Sequence, residues 1–265
     1  MIDYHIHTKL CGHASGEMEE YVQSAIASGI KEMGFSDHLP MITERDNELA
    51  MSIDELPLYV ESVLDLNQRY GEIDIKLGIE ADYFPGLEEK CNEVINKFPF
   101  DYVIGSVHFI KKWGFDNINQ IDQWEKRDIN QVYRDYYTLL RKSARSGLFD
   151  IIGHSDLVKK FGQKPSADLT DEIKQTAQVF AENGLACEIN TSGLRRPISE
   201  IYPSLDVLKI YNDYNIPIIF GSDAHNPKDV ARDFDLAYKM AATVGYFEES
   251  QFSGRKRTSL KRSFK

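Results

Sequence analysis

Histidines crowd the beginning of this chain of 265 residues. The opening stretch, MIDYHIHTKLCGHA, contains His5, His7 and His13, nearly half of the seven histidines in the sequence. Neutral imidazole is a common protein ligand for transition metals, whereas a surface cluster of imidazoles gains little by itself. The spacing therefore predicts a metal site built partly from the first thirteen residues.

The other histidines end or follow stretches that have the composition of buried β-strands. These stretches are GFSDH, GSVH, DIIGH and GSDAH, and their histidines are His38, His108, His154 and His225. Glu80 ends a similar run, LGIE, and Asp223 forms a D-x-H pair with His225. Because side chains alternate along a strand, the two residues of an H-x-H or D-x-H pair lie on the same side of it. We therefore expect all the histidines at one end of a sheet, with Glu80 able to bridge two cations.

Strand-like runs alternate with amphipathic stretches seven times along the chain. The predicted strands lie at residues 1–7, 31–38, 73–82, 101–109, 149–156, 185–192 and 216–225. The predicted helices lie at residues 17–29, 55–71, 87–98, 129–147, 171–184, 204–215 and 230–245. Apolar strands that are each followed by a helix favour a parallel sheet covered by helices. Polar residues end every strand, which favours an α/β barrel over an open doubly wound sheet, because only a barrel builds its site from all its strand ends.

The sequence predicts one domain over residues 1–253, in which the first and last strands of the barrel are neighbours. The remaining segment, 254–265, reads GRKRTSLKRSFK and carries six Lys or Arg residues, and we expect it to be a flexible terminus. The net charge of −11 disfavours binding to a nucleic-acid duplex. No run approaches the length of a membrane span, no signal peptide is evident, and three scattered cysteines argue against a disulfide framework. The expected compartment is the cytoplasm.

The order of the candidate ligands, H, H, H, H, E, H, H, D, H, resembles the metal-ligand pattern of the PHP superfamily (polymerase and histidinol phosphatase) of metal-dependent phosphoesterases. The stretches GFSDHLP, GIEADY, IGSVHFI, DIIGHSDLVKKFG and EINTSGLRRP are similar to its monofunctional histidinol-phosphate phosphatase branch. The resemblance implies a distorted (β/α)7 TIM-like barrel. It also implies hydrolysis of L-histidinol phosphate to L-histidinol and inorganic phosphate, in histidine biosynthesis.

The same resemblance implies three divalent transition-metal ions. The first set of ligands would be His5, His7, Glu80 and Asp223, the second Glu80, His108 and His154, and the third His13, His38 and His225. Such an imidazole-rich shell suits Zn, Fe or Mn better than Mg or Ca. No catalytic side chain is assigned, because a metal-bound hydroxide is the expected nucleophile.

Several residues after the predicted strands are candidates for substrate binding. Arg195 and Arg196 follow the sixth strand and could bind a phosphate in a bidentate manner. Lys159 and Lys160 form a second basic pair after the fifth strand. The candidates to bind the substrate's ammonium and imidazole groups are Asp156, Glu44 and Tyr83, among which the sequence does not choose. Cys11 falls outside the nine-residue pattern, and we expect it to pack beside the ligands.

Two other functions are compatible with these residues. The chain could be a PHP-type phosphoesterase that acts on another phosphate monoester or on nucleic acid, although its overall acidity weakens the second option. It could also be a metal-binding or regulatory module without turnover. The sequence leaves the oligomeric state, the native metal and the role of the basic terminus open.

Overall fold

The computed structural model describes residues 1–43, 48–262 and 264. Its strands are β1 (Ile2–Ile6), β2 (Glu32–Phe35), β3 (Asp74–Asp82), β4 (Tyr102–Ser106), β5 (Phe109–Ile110), β6 (Trp113–Gly114), β7 (Ile151–Ile152), β8 (Ala186–Asn190), β9 (Ile218–Gly221), β10 (Glu248–Ser253) and β11 (Lys256–Lys261). Its α-helices are α1 (Met18–Ala27), α2 (Leu56–Arg69), α3 (Glu88–Ile95), α4 (Ile129–Arg145), α5 (Thr170–Glu182), α6 (Leu205–Asp213) and α7 (Phe234–Val244). Every predicted strand and helix has a counterpart among them.

Seven of these strands form one sheet in the order β1-β2-β3-β4-β7-β8-β9, and neighbouring strands are parallel. The sheet curls until β9 meets β1. At this seam the Ala224 amide donates to the His5 carbonyl at 3.2 Å, and the His7 amide donates to the Ala224 carbonyl at 3.0 Å. The predicted seven-stranded α/β barrel is therefore confirmed.

Two layers of apolar side chains stabilise the barrel. The larger one lies between the strands and the surrounding helices, whose buried faces follow the helical period. The smaller one fills the inside of the barrel with Tyr4, Tyr102, Ile104, Ile151 and Ile219. The helices in the described part of the chain all lack the combination of length and apolarity that crossing a membrane requires.

The basic segment 254–265, expected to be a flexible tail, is largely ordered. β10 and β11 pair antiparallel from Glu248 opposite Lys261 to Ser253 opposite Lys256. This hairpin covers the N-terminal mouth of the barrel, where the Phe252 amide donates to the Tyr4 hydroxyl at 3.0 Å. The expectation of a free tail is wrong for residues 256–261, because pairing with β10 satisfies their backbone groups while their basic side chains stay in solvent.

Two further elements lie between β4 and α4, in a segment that the sequence analysis treats as irregular. β5 and β6 form a short hairpin directly after His108, and a 3₁₀ helix follows at Ile118–Lys126. Because β5 and β6 have two residues each, they are too short to produce a recognisable alternation of apolar and polar residues.

Candidate metal centre

The ends of the barrel strands bring the nine predicted ligands together. His5 lies on β1 and Glu80 on β3, while the other members follow the strands β1, β2, β4, β7 and β9 within seven residues. The rings of His5 and His7 lie side by side with centroids 5.0 Å apart, as expected for two residues on the same side of a strand. The seam between β1 and β9 brings Asp223 to 3.3 Å from His7 Nε2. The D-x-H pair and the H-x-H pair are thus neighbours.

Glu80 stands at the centre of this cluster and is 1% exposed. Its Oε1 faces one pair of rings, with His154 Nε2 at 3.1 Å and His108 Nε2 at 3.7 Å. Its Oε2 faces three others, with His38 Nδ1 at 3.0 Å, His5 Nε2 at 3.5 Å and His7 Nε2 at 3.6 Å. Each carboxylate oxygen therefore has its own set of imidazoles, which is the arrangement a carboxylate needs to be shared between two cations.

The positions of the His13 and His225 rings indicate whether the cluster can hold a metal ion. His13 Nδ1 lies 3.0 Å from the Cys11 carbonyl, and His225 Nδ1 lies 3.0 Å from the Asp223 carbonyl. Each Nδ1 must carry hydrogen to donate to its carbonyl, so in the neutral rings the Nε2 atoms carry lone pairs. These two Nε2 atoms are only 3.1 Å apart. Lone pairs at that separation repel each other, whereas two nitrogens bound to one tetrahedral zinc at about 2.0–2.1 Å lie about 3.3 Å from each other.

Buried nitrogens elsewhere in the cluster also fit a metal. The Nε2 atoms of His5 and His7 make no well-aligned hydrogen bond within the described part of the chain, even though both residues are buried and Asp223 lies 3.3 Å from His7 Nε2. A buried polar atom without a partner is costly unless a ligand completes it. Donor atoms of His5, Glu80 and His154 lie within 4.8 Å of one another, as do those of His5, His7 and Asp223. The cluster could therefore hold metal ions.

Carboxylates behind the rings fix how the imidazoles point. Glu188 Oε1 lies 2.6 Å from His5 Nδ1, and Asp82 Oδ1 lies 2.9 Å from His108 Nδ1. Asp37 Oδ1 lies 3.3 Å from His7 Nδ1. A carboxylate on Nδ1 leaves Nε2 to the metal and raises its basicity. These three carboxylates are not among the predicted site residues, although an acidic residue in the apolar strand ACEIN is itself a signal.

Charge distribution divides the cluster into two parts, of which the first surrounds Glu80. Burial opposes the charged form of His5, but the carboxylates of Glu188 and Glu80 raise the pKa of this imidazole well above its usual range. Burial likewise opposes ionisation of Glu80, but the positive charges of His38 and His5 hold the pKa of the carboxyl well below its usual range. These carboxylates thus require compensating positive charge, which protonated imidazoles or metal cations can supply.

The second part contains neutral imidazoles. Burial, together with the positive charges of His38 and His7, lowers the pKa of His13 to about 4. Burial and the charge of His7 also lower the pKa of His225 well below its usual range. Both rings are therefore neutral at pH 7, which is the form in which imidazole binds metal.

Asp223 has an unusual backbone conformation. Its φ angle of 53° lies in the left-handed region, which residues other than glycine seldom adopt. Its side chain is held in place by the Ser192 hydroxyl, which donates to Oδ2 at 2.9 Å. Backbone strain of this kind concentrates at functional sites, where the surrounding structure maintains it.

The predicted phosphate-binding residues differ in their surroundings. Arg195 lies beside the site, where its Nη2 donates to the Ser222 carbonyl at 2.6 Å, whereas Arg196 is exposed. Lys159 is buried. Its ammonium donates to Glu200 Oε2 at 3.2 Å and to the Ile201 carbonyl at 2.9 Å, and it pairs with Asp156 at 2.9 Å. These three oxygens match its three donors, so Lys159 has a structural role.

Lys160 lies near the mouth of the site and pairs with Asp116, Nζ to Oδ2 at 2.9 Å. Asp116 is not among the predicted site residues. Burial opposes its ionisation, but the charges of Lys160 and His108 lower the pKa of this carboxyl. Its side chain is 20% exposed, so a ligand can reach it.

The residues suggested for binding the substrate's ammonium are mostly engaged elsewhere. Asp156 Oδ2 accepts from the Ser204 amide at 2.8 Å and pairs with Lys159. The Tyr83 hydroxyl donates to Glu88 at 2.8 Å. Glu44 lies outside the described residues. Asp116 is therefore better placed than Asp156 to bind a cationic group.

The barrel and its donor cluster define an α/β-barrel protein whose side chains could hold metal ions, and comparisons with known proteins identify its family. Residues 3–192 match the PHP domain family. A protein of Deinococcus radiodurans named "Probable histidinol-phosphatase" is 42% identical over 246 residues, which cover 92% of this chain and 94% of that protein. The chain belongs to the PHP domain family, as the sequence predicts.

Two further relatives cover nearly the whole chain. The histidinol-phosphatase of Bacillus subtilis is 28% identical over 258 residues, which cover 88% of this chain and 96% of that protein. The crystal structure of histidinol phosphate phosphatase from Lactococcus lactis, in complex with zinc, L-histidinol and phosphate, superposes with a TM-score of 0.81. That structure is 23% identical and covers 97% of this chain and 98% of its own, so it shows that the fold is shared.

Proposed function

We propose that this chain is a metal-dependent phosphatase that hydrolyses L-histidinol phosphate to L-histidinol and inorganic phosphate. The observation that carries the proposal is the convergence of seven histidines, Glu80 and Asp223 at one end of the barrel. The relative from D. radiodurans supports the substrate, since it matches along nearly its entire length. We further propose three ions of Zn, Fe or Mn in the three ligand sets that the family resemblance implies.

Metal ions held by these residues would supply positive charge for the phosphoryl oxygens and would lower the pKa of bound water. Glu188, Asp37 and Asp82 hold the His5, His7 and His108 rings with their Nε2 atoms turned toward the cluster. These hydrogen bonds position the donors before the substrate arrives.

Arg195 and Lys160 are the proposed phosphate-binding side chains, with the exposed Arg196 in a secondary role. A guanidinium has five N–H donors, so Arg195 can hold the Ser222 carbonyl and still donate to a phosphate. Asp116 is the proposed partner of the substrate's ammonium, since it is accessible and lies beside Lys160. Phosphate recognition and amine recognition are thereby assigned to different side chains.

The reaction is proposed to take place in the cytoplasm. Cys11, Cys91 and Cys187 are all buried free thiols, as expected of a protein from a reducing compartment. The basic hairpin lies at the opposite mouth of the barrel from the metal centre, so it does not add a nucleic-acid groove to the site.

The experiment compares kcat/KM for histidinol phosphate with kcat/KM for a phosphate monoester that lacks the amine. We expect a preference of at least roughly tenfold, about 1.4 kcal/mol, which one hydrogen bond to a charged group can supply. Arg195→Ala should lower kcat/KM for both esters by similar factors, because both share the phosphate. Arg257→Ala, an exposed arginine on β11, is the matched control and should change neither.

If kcat/KM were equal for the two esters, the chain would be a phosphatase without a preference for histidinol phosphate. Hydrolysis of a short single-stranded DNA in preference to both would favour the nuclease alternative. If metal-loaded protein failed to hydrolyse even a generic chromogenic phosphate ester, the chain would instead be a binding or regulatory module.

A further inference from the structure

Cys11 lies among the donor atoms of the metal centre, although it is outside the nine-residue pattern. It ends a short 3₁₀ helix, Lys9–Cys11, and its side chain is fully buried. Donor atoms of Cys11, His13 and His225 lie within 4.8 Å of one another, and so do those of Cys11, His7 and Asp37. The sequence predicts a packing role for Cys11, but packing alone does not require a sulfur among these imidazoles.

The local backbone fixes Cys11 and His13 relative to each other. The Thr8 hydroxyl accepts from the Leu10 amide at 3.2 Å, and the chain reverses at Gly12 with a φ of 83°. The Cys11 carbonyl then lies 3.0 Å from His13 Nδ1. The same short loop therefore sets both the thiol and the imidazole at the edge of the site.

A second observation points to a cation in this part of the cluster. His7, whose donor atom lies within 4.8 Å of those of His38 and His225, is 1% exposed, and its Nε2 makes no well-aligned hydrogen bond among the described residues. The Nε2 atoms of His13 and His225 face each other at 3.1 Å, a distance that suits two donors of one cation. The Cys11 sulfur lies within 4.8 Å of a donor nitrogen of each of these two residues.

We propose that the Cys11 sulfur is an additional ligand of the metal ion held by His13 and His225. The metal forms a bond to sulfur, and the thiol proton that it replaces is released to solvent. A sulfur donor makes this position selective for thiophilic ions such as Zn²⁺ over Mn²⁺ or Mg²⁺, whereas the positions around Glu80 have only nitrogen and oxygen donors from the nine-residue pattern. The inference rests on the metal centre of the proposed function and is independent of the substrate.

The test is the ultraviolet absorption of the full-length protein loaded with Co²⁺. The parent protein should show a thiolate-to-cobalt charge-transfer band, and Cys11→Ser should lose it. Cys91→Ser, which removes another buried thiol from helix α3, is the matched control and should keep the band. In competition between Zn²⁺ and Mn²⁺, Cys11→Ser should lower the preference for zinc at one position by at least about tenfold, since even an outer-shell partner contributes that much.

X-ray absorption of the unmodified zinc protein provides a measurement that does not depend on the folding of a variant. It should contain a zinc–sulfur distance of about 2.3 Å beside the zinc–nitrogen distances of about 2.0–2.1 Å. Nitrogen and oxygen neighbours alone, or a cobalt band that persists in Cys11→Ser, would overturn the proposal. A band that is present in the parent protein and lost in Cys11→Ser, in a parent protein that fails to hydrolyse histidinol phosphate, would leave the ligand assignment standing and reject only the substrate.

Discussion

At the scale of single residues, each carboxylate behind the cluster controls one or two histidines. Glu188 contacts two histidines, because its Oε1 lies 2.6 Å from His5 Nδ1 while its Oε2 accepts from the His154 amide at 2.8 Å. Both neighbours are donors, and an ionised carboxylate is an acceptor at both oxygens. Glu188 thus links β8 to His5 on β1 and to His154, which follows β7.

Glu188→Gln should weaken metal binding by about 10–100-fold, the usual effect of losing an outer-shell partner. The amide keeps the size of the side chain but has a single oxygen, so its NH₂ group must face a donor, either His5 or the His154 amide. Equilibrium titration against a competing chelator measures the change.

Glu182→Gln is the matched control for this change, since Glu182 is an exposed residue at the end of α5. It should leave the affinity for metal unaltered. Metal affinity of Glu188→Gln equal to that of the parent protein would show that Glu188 has no role in orienting the ligands.

At the scale of elements, the barrel strands and helices could be predicted, but the hairpin that covers the N-terminal mouth of the barrel could not. The seven strands are apolar runs that end in polar residues, and this contrast is visible in the sequence. The hairpin of β10 and β11 shows no such contrast, because β11 carries basic residues on an exposed edge. Charged edge strands prevent association with other sheets, and the same charges make the segment resemble a solvated tail.

Arg255, in the turn of this hairpin, anchors it to the barrel. It pairs with Asp150, and its Nη2 donates to the Leu148 carbonyl at 2.7 Å. Arg255→Ala should lower the free energy of unfolding by about 1–2 kcal/mol, the value for a partly exposed charged hydrogen bond. Metal affinity should remain that of the parent protein, because the hairpin and the metal centre lie at opposite ends of the barrel. Denaturant unfolding and a metal titration of the same variant measure the two quantities.

Arg257→Ala removes an exposed arginine from the same hairpin and should leave stability within about 0.5 kcal/mol of the parent protein. A loss of metal affinity in Arg255→Ala without a loss of stability would contradict the separation of the two ends.

At the scale of the whole molecule, the sequence predicts which residues meet but not which other residues support them. Barrel closure brings β1 beside β9, and this alone explains why the H-x-H and D-x-H pairs are neighbours. The pairing of Glu188 with His5 joins residues 183 positions apart, and no local pattern reports such a contact. Likewise, the sequence does not distinguish Lys159 from Lys160. In the fold, Lys159 is buried and donates to Glu200, whereas Lys160 pairs with Asp116.

Removing the metals should lower the melting temperature of the whole molecule without unfolding it at room temperature. The apolar interior of the barrel and the protonated His5 beside Glu188 and Glu80 persist without metal, so the fold should remain.

Each site occupied at 100 times its dissociation constant contributes about 2.7 kcal/mol, because the metal binds the folded chain. At about 2–4 °C per kcal/mol, a chelator should therefore lower the melting temperature by at least about 5 °C. Excess Zn²⁺ should restore it and Mg²⁺ should not, because imidazole donors disfavour magnesium. Calorimetry with and without chelator measures the shift, and equal melting temperatures would mean that the cluster does not bind metal with useful affinity.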